Sequence, residues 1–424
     1  MENPTDPKIV ILGAGFAGVR VALDLAKAAP SLNVCLINKN PYHEFNPDFY
    51  EVATATLPEP RGKQFCPVRF ESLKGSVAIL LEAIFQKTKV KIITDTVIAL
   101  DLKLKKIFLK SGEKIDYDIL VLALGSQTNY FGIPNLEKYS LTLKSVDDAL
   151  NIRNQIDEIF ANKKVKEKID IIVGGGGFTG CELVGELVGY LNTLAKIHAH
   201  KRYDVKLSVV EANPGLIQGA SSSIQRAVET RLRSLDIDIY LNSKIILVEQ
   251  SKLHAEPALT LSYDVLIWTA GIRSNNLVDK LTGVHTEKTC LIIDKSLRLI
   301  LYRNVFAIGD IAFCYDEEKS YQAPATAQIA IDQGGYVAKN IVRLIKNEPL
   351  LLYKLKKPKF IVPLGGKFAV GEFSGLHLEG IEAWWLKRAS ALRYFASVLP
   401  VTKAFQLWSS GNKFFVGNDL GEAT

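Results

Sequence analysis

Two glycine loops, each placed between an apolar strand and a helix, constrain this chain more than any other feature. Residues 8–13 read Lys-Ile-Val-Ile-Leu-Gly, an apolar run without alternation, as expected for a strand buried on both faces of a parallel sheet. Gly13, Gly15 and Gly18 follow in G-x-G-x-x-G spacing and open a helical pattern, and a second apolar run closes at Asn38. The arrangement recurs: an apolar run over 169–173 leads into Gly175, Gly177 and Gly180, a helical stretch, and a strand ending at Glu211. In such a loop the first glycine permits a tight turn, the second lets a pyrophosphate reach the backbone, and the third lets helix and strand pack closely. The helix N-terminus then offers free N–H groups and the positive end of its dipole. One match could be a glycine-rich turn; two in the same strand–helix context point to a duplicated nucleotide-binding unit.

The halves echo each other elsewhere. Tyr117-Asp118 precedes an apolar run ending Ala123-Leu124-Gly125, and Tyr263-Asp264 precedes one ending Ala270-Gly271. The expected fold class is α/β, with two Rossmann-like dinucleotide-binding domains and a C-terminal amphipathic helical segment. Expected boundaries are 1–145 and 273–360 for the first domain in two parts, 146–272 for the second, and 361–424 for the C-terminal segment.

The residue closing the second strand of each unit faces the adenosine ribose. Glu211 would accept from both ribose hydroxyls and repel a 2′-phosphate, which favours NADH over NADPH. In the first unit the position is Asn38, beside Lys39, either a weaker ribose contact or an ordinary turn residue. Two dinucleotide sites call for two dinucleotides, and FAD with NADH is the pairing that lets hydride pass from nicotinamide to flavin.

The five cysteines include no C-x-x-C pair, and the stretch Asn40–Asp48 after the first unit holds none. A dithiol relay, a disulfide framework and a structural zinc site are therefore not expected, and no metal is. The first six residues lack the basic and long apolar regions of a secretory leader, and no run of about 18 apolar residues exists to span a bilayer.

The chain resembles the type II NADH:quinone oxidoreductases, single-chain FAD enzymes of the two-dinucleotide-binding flavoprotein superfamily. The resemblance rests on Val10–Gly18, Tyr50–Thr54, Ala123–Asn129, Gly175–Leu183, Ile267–Arg273, Val305–Asp310 and Ala327–Ala330. It implies that Gly13, Gly15, Phe16, Ala17 and Gly18 hold the FAD pyrophosphate, with Asn38, Lys39, Ala123, Gly125 and Gly309 around it. Asp310 would bind the ribityl chain, unless it is simply a helix cap. Ala327 and Gln328 would flank the isoalloxazine and the quinone entrance. NADH would lie on Gly175, Gly177, Phe178, Thr179, Gly180, Glu211, Ala270 and Gly271. Glu182 would stand near the nicotinamide, its plain alternative being an exposed first-turn acid. Asp332, where the family has Gln or Glu, is the third catalytic candidate beside Glu182 and Gln328. Leu364-Gly365 replaces the family's Lys-Gly. The implied reaction is two-electron reduction of a lipid quinone without proton pumping, at the cytoplasmic face of the cell membrane. Sulfide:quinone oxidoreductase and a redox-sensing flavoprotein module are the rival readings.

The formal charge of +7 has an address. Residues 353–413 hold ten Lys and Arg against three acids, and the remainder nets zero. The same segment carries three of the four tryptophans, so the charge is no nucleic-acid signal. Trp385, Leu392, Phe395 and Leu399 share one helical face there, and Val401, Ala404, Phe405 and Trp408 another. Such faces, flanked by cations, read as helices lying on an anionic membrane, or else packed on the protein's own core or in a homodimer.

Overall fold

The computed structural model describes residues 7–56, 68–201, 204–316, 321–356, 359–373 and 376–415. Cys66, the first six residues and Lys357 of the basic loop lie outside them.

In chain order, the first glycine loop sits between β1 (Lys8–Leu12) and α1 (Phe16–Ala28), followed by β2 (Asn33–Asn38) and the short helix α2 (Phe49–Thr54). Then come β3 (Lys91–Thr94), β4 (Ile119–Leu122), β5 (Leu141–Thr142) and α3 (Val146–Asn162). The second loop joins β6 (Ile169–Gly174) to α4 (Phe178–Ile197) and leads to β7 (Val205–Val210), α5 (Ser222–Ser234), β8 (Asp238–Tyr240) and β9 (Val265–Trp268). The chain continues through β10 (Arg298–Leu299), β11 (Tyr302–Ala307) and α6 (Ala327–Ile345). It ends with a hairpin sheet, β12 (Phe360–Pro363), β13 (Ala369–Phe373) and β14 (Leu376–Gly380), then α7 (Ile381–Val398) and α8 (Val401–Phe415).

Contacts divide the chain into two compact units. The first comprises residues 1–44, 79–127 and 272–358. Its sheet runs β10-β11-β4-β1-β2-β3, parallel except for the β10–β11 hairpin. The apolar runs read from sequence are its fully covered central strands: Ile9 to Leu12 and Leu120 to Leu122 have no exposed surface. Helix α6 packs on α1 so closely that a Cβ on Gly334 would lie 2.8 Å from the Ala17 carbonyl oxygen.

The second unit comprises residues 45–78, 128–271 and 359–424. Its sheet, β5-β9-β6-β7-β8, is entirely parallel. Helix α3 begins with a reciprocal capping box, Ser145 Oγ accepting from the Asp148 N–H and Asp148 bonding back.

The units depart from the expected boundaries in three places, the first being residues 128–145, expected with the first domain but found in the second unit. Residues 45–78, expected with the first domain, belong to the second unit, because buried side chains tie them there: Arg153 Nε donates to the Ala55 carbonyl oxygen (2.8 Å) and Arg388 pairs with Glu51 (3.4 Å). The C-terminal helices, expected as a separate segment, belong to it as well. Phe45 packs on Tyr394 and Phe395 with ring centroids 5.3 and 4.7 Å away, and Trp384 is covered by Ala369, Ala383 and their neighbours. The apolar faces of α7 and α8 are accordingly divided. Phe395, Leu399 and Ala404 are buried in the protein, whereas Trp385 (54% exposed), Val401 (73%) and Phe405 (55%) face outward.

Among the described residues no helix is long and apolar enough to cross a membrane, and no cluster of His, Cys, Asp and Glu could hold a metal ion.

Candidate dinucleotide sites

In the first unit the chain leaves β1 with Gly13 at φ +97°, where a Cβ would run into the Ala123 carbonyl. A Cβ on Gly18 would run into the Gly13 carbonyl oxygen. These two glycines let strand, loop and helix meet. Gly15 differs: nothing lies within 4 Å of its would-be Cβ, and as the N-cap of α1 it carries no side chain to satisfy the helix's first N–H groups. Open space in front of a helix start that no side chain caps is what a pyrophosphate requires.

Asn38 is neither a free ribose contact nor a bystander. Its Oδ1 accepts from the Ala14 N–H (2.9 Å) and its Nδ2 donates to the Asn40 carbonyl oxygen (2.8 Å), so it braces the phosphate loop. Lys39 is exposed beside it. Phe16 is buried with its ring edge-on to His43, at 5.0 Å. Asp310 does not cap α6, whose N-cap is Thr326; its Oδ2 accepts from Ser126 Oγ (2.6 Å). It lies on a cavity of about 380 Å³ lined by Gly309, Thr326, Ala330, Gln333, Arg273 and Lys288. Gln333, fully buried, accepts the Gly309 N–H on its Oε1 (2.7 Å). Gln328 is exposed in the first turn of α6, next to Ala327. Asp332, one turn on, accepts from Lys356 Nζ (3.3 Å), and burial together with Asp332 raises the Tyr353 hydroxyl.

Sequence reasoning missed Ser126, Gln333 and His43. The first two are ordinary polar residues whose partners lie far along the chain. His43 is fully buried, its Nδ1–H donating to the Ala14 carbonyl oxygen (2.8 Å). Burial pushes the imidazole down to about 4, against the opposing effect of that hydrogen bond. Unfolded chains take up this proton near pH 6.5, the folded protein only near 4. The stabilisation is therefore complete above about pH 6.5 and is lost as the pH falls towards 4, by up to about 3 kcal/mol. Urea unfolding of the wild type and of His43→Asn between pH 7.5 and 4.5 checks this: the wild type should lose more stability, and equal slopes would refute it.

The second unit repeats the cradle. Gly175 has φ +110° and would bring a Cβ to 2.6 Å from the Ala270 N atom. A Cβ on Gly180 would meet the Gly175 carbonyl oxygen and lie 2.8 Å from Thr269 Oγ1. Gly177, the N-cap of α4, again has nothing within 4 Å and no capping side chain. Thr179 is exposed, and Phe178 is partly exposed against Phe360, ring centroids 5.1 Å apart. Glu211 does for Gly176 what Asn38 does for Ala14: its Oε2 accepts that N–H (2.7 Å). Its Oε1 accepts from both the backbone N and Nδ2 of Asn213 (2.8 and 2.6 Å). A carboxylate has about four lone-pair positions, so roughly one remains for a ribose hydroxyl, where sequence reasoning expected both hydroxyls to bind.

Glu182 is not an exposed first-turn acid. Its side chain is 14% exposed and pairs with Lys387 of α7 at 3.3 Å. Burial pushes its carboxyl up, Lys387 opposes this, and Asp48 adds to it. Lys387 Nζ also donates to the Pro47 carbonyl oxygen (3.4 Å). Beside this pair lie Asp48, Glu51, Glu186 and Arg388, all buried. Cys181 is buried, its Sγ 3.4 Å from the Gly176 carbonyl oxygen, and burial holds the thiol far above its usual value.

Two Rossmann-type sheets, each ending in a glycine cradle with open space before an uncapped helix, define a two-dinucleotide redox fold. The model of the pyridine nucleotide-disulphide oxidoreductases matches residues 7–334, and the chain belongs to that family. The type II NADH:quinone oxidoreductase of Staphylococcus saprophyticus is 28% identical over 411 residues, covering 94% of this chain and 98% of the relative. Two solved structures share the fold. NDH2 from Plasmodium falciparum in complex with NADH superposes with a TM-score of 0.81 at 20% identity, over 97% of this chain and 99% of that one. The sulfide:quinone oxidoreductase of Aquifex aeolicus does so with a TM-score of 0.76 at 21% identity, over 95% and 92%.

Proposed function

We propose that the chain is a type II NADH:quinone oxidoreductase, taking electrons from NADH and delivering them to a lipid quinone. The observation that carries this is the pair of complete glycine cradles without a neighbouring cysteine pair, in a chain that matches a relative of that name nearly end to end. Bound FAD would supply the two-electron step between the nicotinamide and the quinone. Gly13, Gly15 and Gly18 would seat its pyrophosphate, Phe16 and Ala17 would present the first N–H groups of α1, and Asp310, oriented by Ser126, would hold its ribityl hydroxyls. Ala123, Gly125, Gly309 and Ala327 would line its path. On the second unit, Gly177 and Thr179 would seat the NADH pyrophosphate and Glu211 one ribose hydroxyl. A 2′-phosphate would meet the Glu211 carboxylate, so NADPH would bind more weakly. Glu182 and Gln328 remain the polar groups offered to the reacting ends. Asp332, engaged by Lys356 and near Tyr353, is a weaker candidate for touching quinone.

Anaerobic stopped-flow mixing with NADH tests the reading. The 450 nm flavin band should bleach within milliseconds to seconds and recover on adding a soluble quinone, with NADPH much slower. A band that NADH leaves oxidised would sink it. Bleaching by sulfide would instead favour a sulfide:quinone enzyme, which the buried, protonated Cys181 argues against. Slow bleaching without quinone turnover would favour a redox-sensing module.

The C-terminal helices would set the protein on the cytoplasmic face of an anionic membrane. Trp385, Val401 and Phe405 face outward, with Arg393, Lys403 and Lys413 exposed on the same two helices. Aromatic side chains beside cations suit the lipid headgroup region. The double substitution Trp385→Ser/Phe405→Ser should release the protein from vesicles of phosphatidylglycerol in a sedimentation assay without lowering the melting temperature. Unchanged sedimentation would rule these helices out as the foot.

A further inference from the structure

We infer that Phe131 is the aromatic platform that receives the nicotinamide half of NADH on the second unit, an inference that rests on the NADH reading above. The order of the strands sets the direction in which the dinucleotide must run. Glu211, at the end of β7, marks the adenosine side, and the Gly175–Gly180 loop at the end of β6 takes the pyrophosphate. On the far side of β6 from β7 lies β9. The remaining half of the ligand must therefore extend over the end of β9, at Thr269, Ala270 and Gly271.

Phe131 stands there. A Cβ on Gly271, whose φ is +73°, would collide with Cε2 and Cζ of the Phe131 ring, so the ring lies directly on the Gly271 backbone. Ala270, one residue earlier, packs on Gly175, the first glycine of the loop, and Thr269 Oγ1 donates to the Gly175 carbonyl oxygen (3.0 Å). The turn carrying the ring is tied to the same strand end. Trp268 Nε1 donates to the Asn129 carbonyl oxygen (3.0 Å), and the Asn129 N–H donates to the Gly271 carbonyl oxygen (3.2 Å). Asn129 Oδ1 in turn accepts the Phe131 N–H (2.9 Å).

Two features have no use in the unit itself. Phe131 has φ +52°, a left-handed conformation that is strained for a bulky side chain. Despite that cost, the ring is 61% exposed, so it is not there to fill a core. A flat ring held in place, half uncovered, at the point where a second flat ring must arrive is suited to stacking, and an aromatic face discriminates in favour of a planar heterocycle. Adenosine and phosphate binding, on the other side of the loop, should not depend on it.

Equilibrium titration of the flavin-loaded protein with NAD+ and with ADP-ribose, which lacks the nicotinamide, tests the assignment. Phe131→Ala should weaken NAD+ on the order of tenfold and ADP-ribose by less than about twofold. Phe131→Trp should restore NAD+. Phe131→Gly, which releases the left-handed strain, should lose NAD+ affinity equally while keeping or raising the melting temperature, a combination a merely structural ring would not produce. NAD+ affinity unchanged in the alanine variant, or NAD+ and ADP-ribose weakened together, would overturn the platform while leaving the NADH site in place. A wild type that binds neither ligand would overturn the NADH reading itself.

Discussion

Gly18→Ala is expected to yield protein that carries almost no flavin. The added methyl would fall on the Gly13 carbonyl oxygen, with Ile11 Cγ2 at 3.4 Å on the other side. Neither obstacle is the end of a flexible side chain. The oxygen belongs to the residue that turns the chain at φ +97°, and Ile11 itself has no exposed surface. The start of α1 must therefore lift from the loop, which removes the alignment of backbone N–H groups that a pyrophosphate needs. Overpacking of this kind costs about 1–3 kcal/mol in stability. Gly15→Ala is the informative partner. With nothing within 4 Å of its Cβ, its flavin-free form should fold and melt like the flavin-free wild type, yet the methyl would occupy the room left for phosphate. The ratio of absorbance at 450 nm to that at 280 nm should fall in both, and, with all proteins stripped of flavin, the melting temperature should fall only in Gly18→Ala. Full flavin content in Gly15→Ala would mean that the cradle holds something else.

Removal of the Arg388 charge should produce the largest loss of stability of any single substitution in the second unit. Arg388 is 4% exposed and reaches Glu51, itself 4% exposed, at 3.4 Å. Burial opposes its charge, but Asp48, Glu51, Tyr50 and Glu186 outweigh burial and hold the guanidinium above its ordinary value. The Phe415 ring at 5.3 Å and the hydrogen bond from Trp408 Nε1 to its carbonyl oxygen (3.0 Å) join α8 to the same point, and the Trp384 ring of its own helix lies 6.0 Å away. Arg388→Met would keep most of the packing and leave buried carboxylates without their cation, a loss of about 3–5 kcal/mol at neutral pH. The loss should shrink as the pH is lowered, because the abandoned carboxylates can then take up protons. Glu51→Gln combined with Arg388→Met should cost less than the sum of the two single changes, since a well-packed neutral pair replaces the ion pair. Urea unfolding curves at pH 7.5 and 5.5 measure all of this, and strictly additive, pH-independent losses would count against a coupled buried pair.

Much of the fold was legible because it rests on local rules. Strands buried on both faces must be apolar throughout, and the turn from strand to phosphate-binding helix needs glycine at set places, so β1, β6 and both cradles could be marked from residue order. The resemblance located Asp310 and Glu182 but not their partners. Asp310 meets Ser126 and Glu182 meets Lys387, each across a long stretch of sequence. The sequence offers Glu211 as a ribose contact and Asn38 as a weaker one or a turn residue; the structure adds that both brace the loop before them through the N–H of its second residue. Strand register sets that geometry, and composition does not report it.

The sequence by itself determined that this chain forms two parallel α/β sheets with two dinucleotide cradles, because strand burial and glycine sterics act over a few neighbouring residues. It also placed the whole net charge and three of the four tryptophans in residues 353–413. Only the tertiary structure decided which of those groups turn outward. Trp385 and Phe405 do, whereas Trp384, Phe395 and Arg388 are drawn inward, the last to the carboxylates beside it. A helix repeats every 3.6 residues whatever it faces, so its pattern says which side chains share a side. What stands opposite the inward side, the Glu51 carboxylate or the Phe45 ring, is settled by residues more than three hundred positions away.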